Sequence, residues 1–117
     1  MSIYAKKKRS DSHIFKPSCK DAWLYWLLLQ KKGRAIVFVN AISAALRLNG
    51  LLAPLGLLTH SLNSNMQQKA RLKHMDRFKE NSQAILVSTD VAARGLDIPN
   101  VELIIHFQVN FTGLNFL

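Results

Sequence analysis

Two runs in this sequence, Ala35 to Val39 and Ala84 to Ser88, are apolar almost without interruption and never alternate with charged residues. A strand with one face in water alternates, so these runs predict strands covered on both faces, and the natural host for such strands is a parallel sheet between helices. Parallel neighbours need long crossover connections. The intervening segments supply them. Lys20 to Lys31 is rich in helix formers and runs into Lys31, Lys32 and Gly33, a basic end followed by a glycine stop. After Asn40, which can cap a helix, Ala41, Ala44, Ala45, Leu48, Leu51 and Leu52 recur at helical spacing until Pro54 and Gly56. Residues 66–80 predict a third helix, with Leu72, Met75 and Phe78 on its apolar face. Leu57 to His60 and Glu102 to His106 complete four strands, and Val91 to Arg94 can form a short helical turn before Gly95. This alternation implies right-handed βαβ units in a three-layer, mostly parallel α/β fold, with ligands expected beyond the carboxyl ends of the strands.

The 117 residues allow one domain with one core. Sixteen Lys and Arg against seven Asp and Glu give a formal charge of +9, which points to a polyanionic partner, nucleic acid first. Nine of the basic residues lie in residues 1–34, opposed there only by Asp11 and Asp21. Residues 1–18 lack periodicity and are expected to be a flexible basic lead-in; the cluster Lys6 to Arg9 reads as a solvated tail or as a nuclear-localisation patch. The single Cys19 permits no internal disulfide and suits a reducing cytosol or nucleus. Ala22 to Leu29, the longest apolar run, falls short of the roughly 18 residues of a membrane span, so no membrane partner is expected. Residues 110–117 are uncharged and largely apolar, carry no recognisable element and read as a divergent tail.

Several chemistries lack their residues. No glycine precedes a lysine and no Gly-x-Gly occurs, so neither a Walker-type phosphate loop nor a dinucleotide fingerprint is present. No acidic pair follows an apolar strand as a magnesium-holding Walker-B element would, and His13, His60, His74 and His106 lack metal-ligand spacing, so no metal site is expected.

The densest polar segment is Ser88-Thr-Asp-Val-Ala-Ala-Arg-Gly-Leu-Asp-Ile-Pro99. Hydroxyls, nested amides and a helix N-terminus can meet phosphates there, and a carboxylate can accept hydrogen bonds from ribose hydroxyls. Read without that chemistry, it is a polar connection in which Asp90 caps a turn and Gly95 stops it. Lys69, Lys73 and Arg77, at i, i+4 and i+8, are either a solvated helix face or a phosphate-tracking stripe, the solvated face being the simpler reading. Trp23, Tyr25 and Trp26 could stack bases, but their leucine-rich surroundings predict core positions.

The same twelve residues closely resemble motif V of the DEAD-box ATP-dependent RNA helicases. Ile36-Val-Phe-Val-Asn40 resembles motif IV of that family, and Gln68-Lys-Ala-Arg71 its Gln-x-x-Arg element, in the same order and spacing. The resemblance covers about residues 20–109. It implies that residues 19–109 are part of the second RecA-like lobe, a helicase C-terminal domain incomplete at its C-terminus. Lys20-Asp-Ala-Trp-Leu-Tyr and Gly33-Arg-Ala-Ile-Val-Phe are similar to segments of helicases that assist large-ribosomal-subunit assembly, implying ribosome biogenesis, pre-ribosomal particles, and a nuclear, nucleolar location with the cytoplasm as an alternative.

By the same resemblance Asn40, Gln68, Arg71, Thr89 and Gly95 would contact the RNA backbone, Asp97 would face the ATP ribose, and Arg94 would brace the interface with the first lobe. ATP would be the cofactor, with Mg supplied through that lobe. The arginine-rich motif VI does not follow Val109, where the sequence reads Asn110-Phe-Thr-Gly. This chain alone is therefore expected not to hydrolyse ATP, although its parent would be an RNA-dependent ATPase. The alternatives are a non-catalytic RNA-binding or regulatory fragment of such a helicase, and a related motor acting on DNA.

Overall fold

A computed structural model describes residues 2–7, 12–15, 20–63, 65–89 and 101–109. The apolar runs form the expected strands. In chain order the elements are β1 (Ser2–Lys7), β2 (Ser12–Phe15), α1 (Lys20–Gln30), β3 (Arg34–Val39), α2 (Ile42–Leu52), a 3-10 turn (Ala53–Leu55), β4 (Thr59–Leu62), α3 (Gln68–Glu80), β5 (Ile85–Thr89) and β6 (Val101–Val109). One sheet contains all six strands in the order β2-β1-β6-β3-β5-β4. The four strands β6, β3, β5 and β4 run parallel, β3 pairing with both β5 and β6.

Both faces of this parallel block are covered, which explains the missing alternation. Ala35, Val37 and Val39 of β3 pack with Ile85, Val87, Leu103 and Ile105 under α1 and α2, whose Leu24, Leu27, Leu28, Ala45, Leu48 and Leu52 are buried. Ile36 and Leu86 point to the opposite face, against Met75 and Phe78 of α3. Arg34 fastens that third layer. Its guanidinium is buried and donates to the α3 carbonyls of Phe78 (Nε, 3.3 Å) and Lys79 (Nη2, 2.6 Å), capping carbonyls that the helix end leaves without intrahelical partners.

Several details differ from the sequence reading. Residues 2–7 and 12–15, expected as an irregular lead-in, are strands: β1 pairs antiparallel with β6 and β2 with β1, so the polar edge of β6 is covered. The second core strand starts at Thr59 and not at Leu57, because Gly56 turns the chain at φ 89° after the 3-10 turn and Leu58 lies outside, about half exposed. Trp23 and Trp26 are exposed and meet edge to face, 5.6 Å apart, since α1 is apolar on every side and only its leucine stripe faces the sheet. Leu72 is also exposed, while Met75 and Phe78 are buried. The basic residues expected to end α1 follow it: Lys31 donates instead to the carbonyls of Gly33 and Gln83, and its burial holds the ammonium pKa below the usual lysine value. No helix among the described residues is long and apolar enough to cross a membrane.

At the contact of β4 with α3, His60 Nε2 and His74 Nδ1 are buried without a hydrogen-bond partner among the described residues. Burial, then His74 and Arg77, lower the His60 pKa below its ordinary 6.5, against a smaller opposing pull from Glu80. A histidine depressed in the folded state contributes its stability above the unfolded value and loses it as the pH falls through the folded one. Urea midpoints should therefore decline from about pH 7 to about pH 5.5, and His60→Gln should flatten that decline. An unchanged slope in the variant would remove His60 as its source.

Candidate nucleic-acid interface

Parallel strands bring their carboxyl ends to one rim. Val39 is paired with Thr89 and Leu62 with Ser88, so β3, β5 and β4 finish nearly level, and Asn40 and Asn63 follow directly. The helices leaving that rim begin there too. Neither the first turn of α2 nor that of α3 contains an acidic residue, which leaves the positive helix ends and their open amides uncompensated by a carboxylate of their own.

Asn40 is exposed and does not cap α2. The cap position is Ala41, extended at φ −145° and ψ 152° with no side-chain cap bond, its carbonyl accepting from Ala45 N at 3.2 Å. The asparagine stays one residue outside the helix, at the strand end. Thr89 closes β5 with 9% exposure. Its carbonyl accepts from Ser88 Oγ at 2.9 Å, yet its own Oγ1 is buried with no hydrogen-bond partner among the described residues.

The launch of α3 depends on a residue that the motif reading passes over. Asn63 is 5% exposed; its Oδ1 accepts from Asn65 N at 3.0 Å and its carbonyl from Met66 N at 3.2 Å. This Asx turn converts the end of β4 into the start of a helix, where Arg71 N bonds to Gln67 O at 3.0 Å. Gln68, exposed, and Arg71, half-buried, therefore sit in the first turn of α3 at the rim that holds Asn40 and Thr89. An asparagine immediately after a strand and shortly before a helix was the available signal. The structure thus gathers four of the sequence-derived residues. Arg94, Gly95 and Asp97, with the Val91 to Arg94 turn, lie outside the described residues. No group of three or more His, Cys, Asp or Glu that could hold a metal ion occurs among the described residues.

Comparison with known proteins is consistent with this arrangement. Residues 19–116 match the family model of the helicase conserved C-terminal domain. The chain is 55% identical over 91 residues to the ATP-dependent RNA helicase MAK5 of Phaeosphaeria nodorum, covering 77% of this chain and 11% of that protein. It is 48% identical over 94 residues to the mouse ATP-dependent RNA helicase DDX24, covering 80% and 11%. The chain spans about a tenth of the length of these relatives. Among solved structures it superposes on the C-terminal domain of the DEAD-box protein Dbp5 with a TM-score of 0.63 at 33% identity, covering 74% of this chain and 48% of that one. Domain 2 of the DEAD-box helicase Mss116p bound to an RNA duplex gives 0.60 at 30% identity, covering 70% and 35%.

Proposed function

Because the chain belongs to the DEAD-box ATP-dependent RNA helicases, as their conserved C-terminal domain, we propose that it acts as the second lobe of a motor that holds single-stranded RNA by its sugar-phosphate backbone. The observation that carries this reading is the shared rim: Asn40 and Thr89 at the ends of paired strands, with Gln68 and Arg71 in the first turn of α3. Amides, a hydroxyl and a guanidinium are donors, and phosphate oxygens are acceptors. The contacts recognise a backbone and not base edges, so little sequence preference is expected.

Gly95 would extend the RNA contact, Asp97 would face the ribose of ATP, and Arg94 would brace the first RecA-like lobe. The Thr89 hydroxyl, which has no partner among the described residues, would be the donor that the end of β5 offers to the sugar-phosphate. Bound between two lobes, ATP supplies the free energy of hydrolysis; the role of this chain is to orient RNA and close over the nucleotide, while the first lobe would hold the phosphates and Mg. The kinship with MAK5 and DDX24 supports a role in ribosome biogenesis on pre-ribosomal particles, in the nucleolus.

ATP hydrolysis measured with RNA, first with this chain alone and then with a DEAD-box first lobe added, tests the assignment. Stimulation by RNA only when both lobes are present is the expected result. RNA binding without any stimulation would favour a non-catalytic RNA-binding or regulatory fragment. Failure to bind RNA at all would overturn both.

A further inference from the structure

Lys69, Lys73 and Arg77 share one exposed face of α3. Among the described residues none of the three forms an ion pair or a hydrogen bond, although Asp76 and Glu80 belong to the same helix. A merely solvated helix face commonly pairs such charges at i+3 and i+4. Here three cations stand unpaired, each step rising about 6 Å along the axis, a spacing comparable to that of successive phosphates in an extended strand. The row starts beside Gln68, inside the turn that reaches the rim, and leads away from it.

We infer that Lys69, Lys73 and Arg77 extend the RNA path beyond the strand ends, carrying the phosphates of a single strand along the outer face of α3. This rests on the RNA-binding reading of the rim and adds a second segment to it. Continuity with the rim favours RNA as the occupant over an acidic protein, because the same backbone held at Asn40 and Gln68 needs somewhere to go. The row also lies on the layer that Arg34 fastens to the sheet, so the cations are presented on a braced helix.

The test is the salt dependence of binding of a short oligouridylate to the 117-residue chain, followed by fluorescence anisotropy. The triple variant Lys69→Gln, Lys73→Gln, Arg77→Gln should bind more weakly and flatten the slope of log affinity against log salt by about 2, as three lost phosphate contacts require for a single strand. Gln68→Ala, which removes no charge, should weaken binding at an unchanged slope. A dinucleotide, too short to span the roughly 12 Å of helix axis from Lys69 to Arg77, should show a much smaller slope change in the triple variant than the oligouridylate does. Circular dichroism controls for folding, and these exposed positions should leave it unaltered. A parental slope in the triple variant, with Gln68→Ala still defective, would overturn the inference while leaving the rim intact. Polyglutamate showing the same affinity and the same slope change as RNA would also overturn it, assigning the row to acidic chains in general. No RNA binding by any form would remove both the row and the rim.

Discussion

Phe78→Ala should destabilise the fold by about 3–5 kcal/mol, whereas Leu72→Ala, less than two turns earlier on the same helix, should change it by no more than about 0.5 kcal/mol. The sequence puts both residues on one apolar face; the structure separates them. Phe78 has no exposure and fills the space between α3 and the sheet beside Ile36, Leu62 and Leu86, while Leu72 is 55% exposed. Truncating the ring would leave a cavity under the helix end to which Arg34 is bonded, so two attachments of α3 would weaken together. Urea unfolding with an unchanged m value measures the difference. Equal losses at the two positions would mean that α3 is rotated about its axis, and the outer placement of Lys69, Lys73 and Arg77 would fall with it.

The contrast shows what a sequence of this kind discloses. Where burial acts on both faces, as in Arg34–Val39 and Ile85–Thr89, composition alone reveals the strand and the parallel sheet that must host it. Where every side of a helix is apolar, as in α1, the period cannot say which side turns inward, and Trp23 and Trp26 come out exposed. Asn40 looks like a cap because capping residues are read from type, yet two residues separate the end of β3 from the start of α2, and the second of them, Ala41, takes the cap position. The N-terminal strands are hidden for a different reason: β2 pairs only with β1, β1 docks on β6 about a hundred residues away in sequence, and no local pattern reports on a distant open edge. At the rim, the resemblance to the family's motifs pointed to Gln68, Arg71 and Thr89. It did not find Asn63, whose work is to bend the backbone and not to touch a ligand.

Thr89→Val should separate function from stability in one substitution. Valine keeps the volume and β-branching of threonine, so β5 should retain its packing between β3 and β4. The change removes Oγ1, which is buried with no partner among the described residues, and relieving an unsatisfied buried hydroxyl should stabilise the fold by about 1 kcal/mol. RNA binding should move the other way. A hydroxyl donating to a phosphate oxygen contributes about 1.5–3 kcal/mol, so its loss should weaken RNA affinity about ten- to hundredfold. Thr89→Ser, which retains the hydroxyl, should bind RNA nearly as the parent chain does, at some expense in packing. Thermal melts and anisotropy titrations on the three proteins give both readouts. If valine lowers stability and leaves affinity alone, the hydroxyl belongs to the architecture of the strand end, and the rim loses the residue on which its RNA-facing assignment most depends.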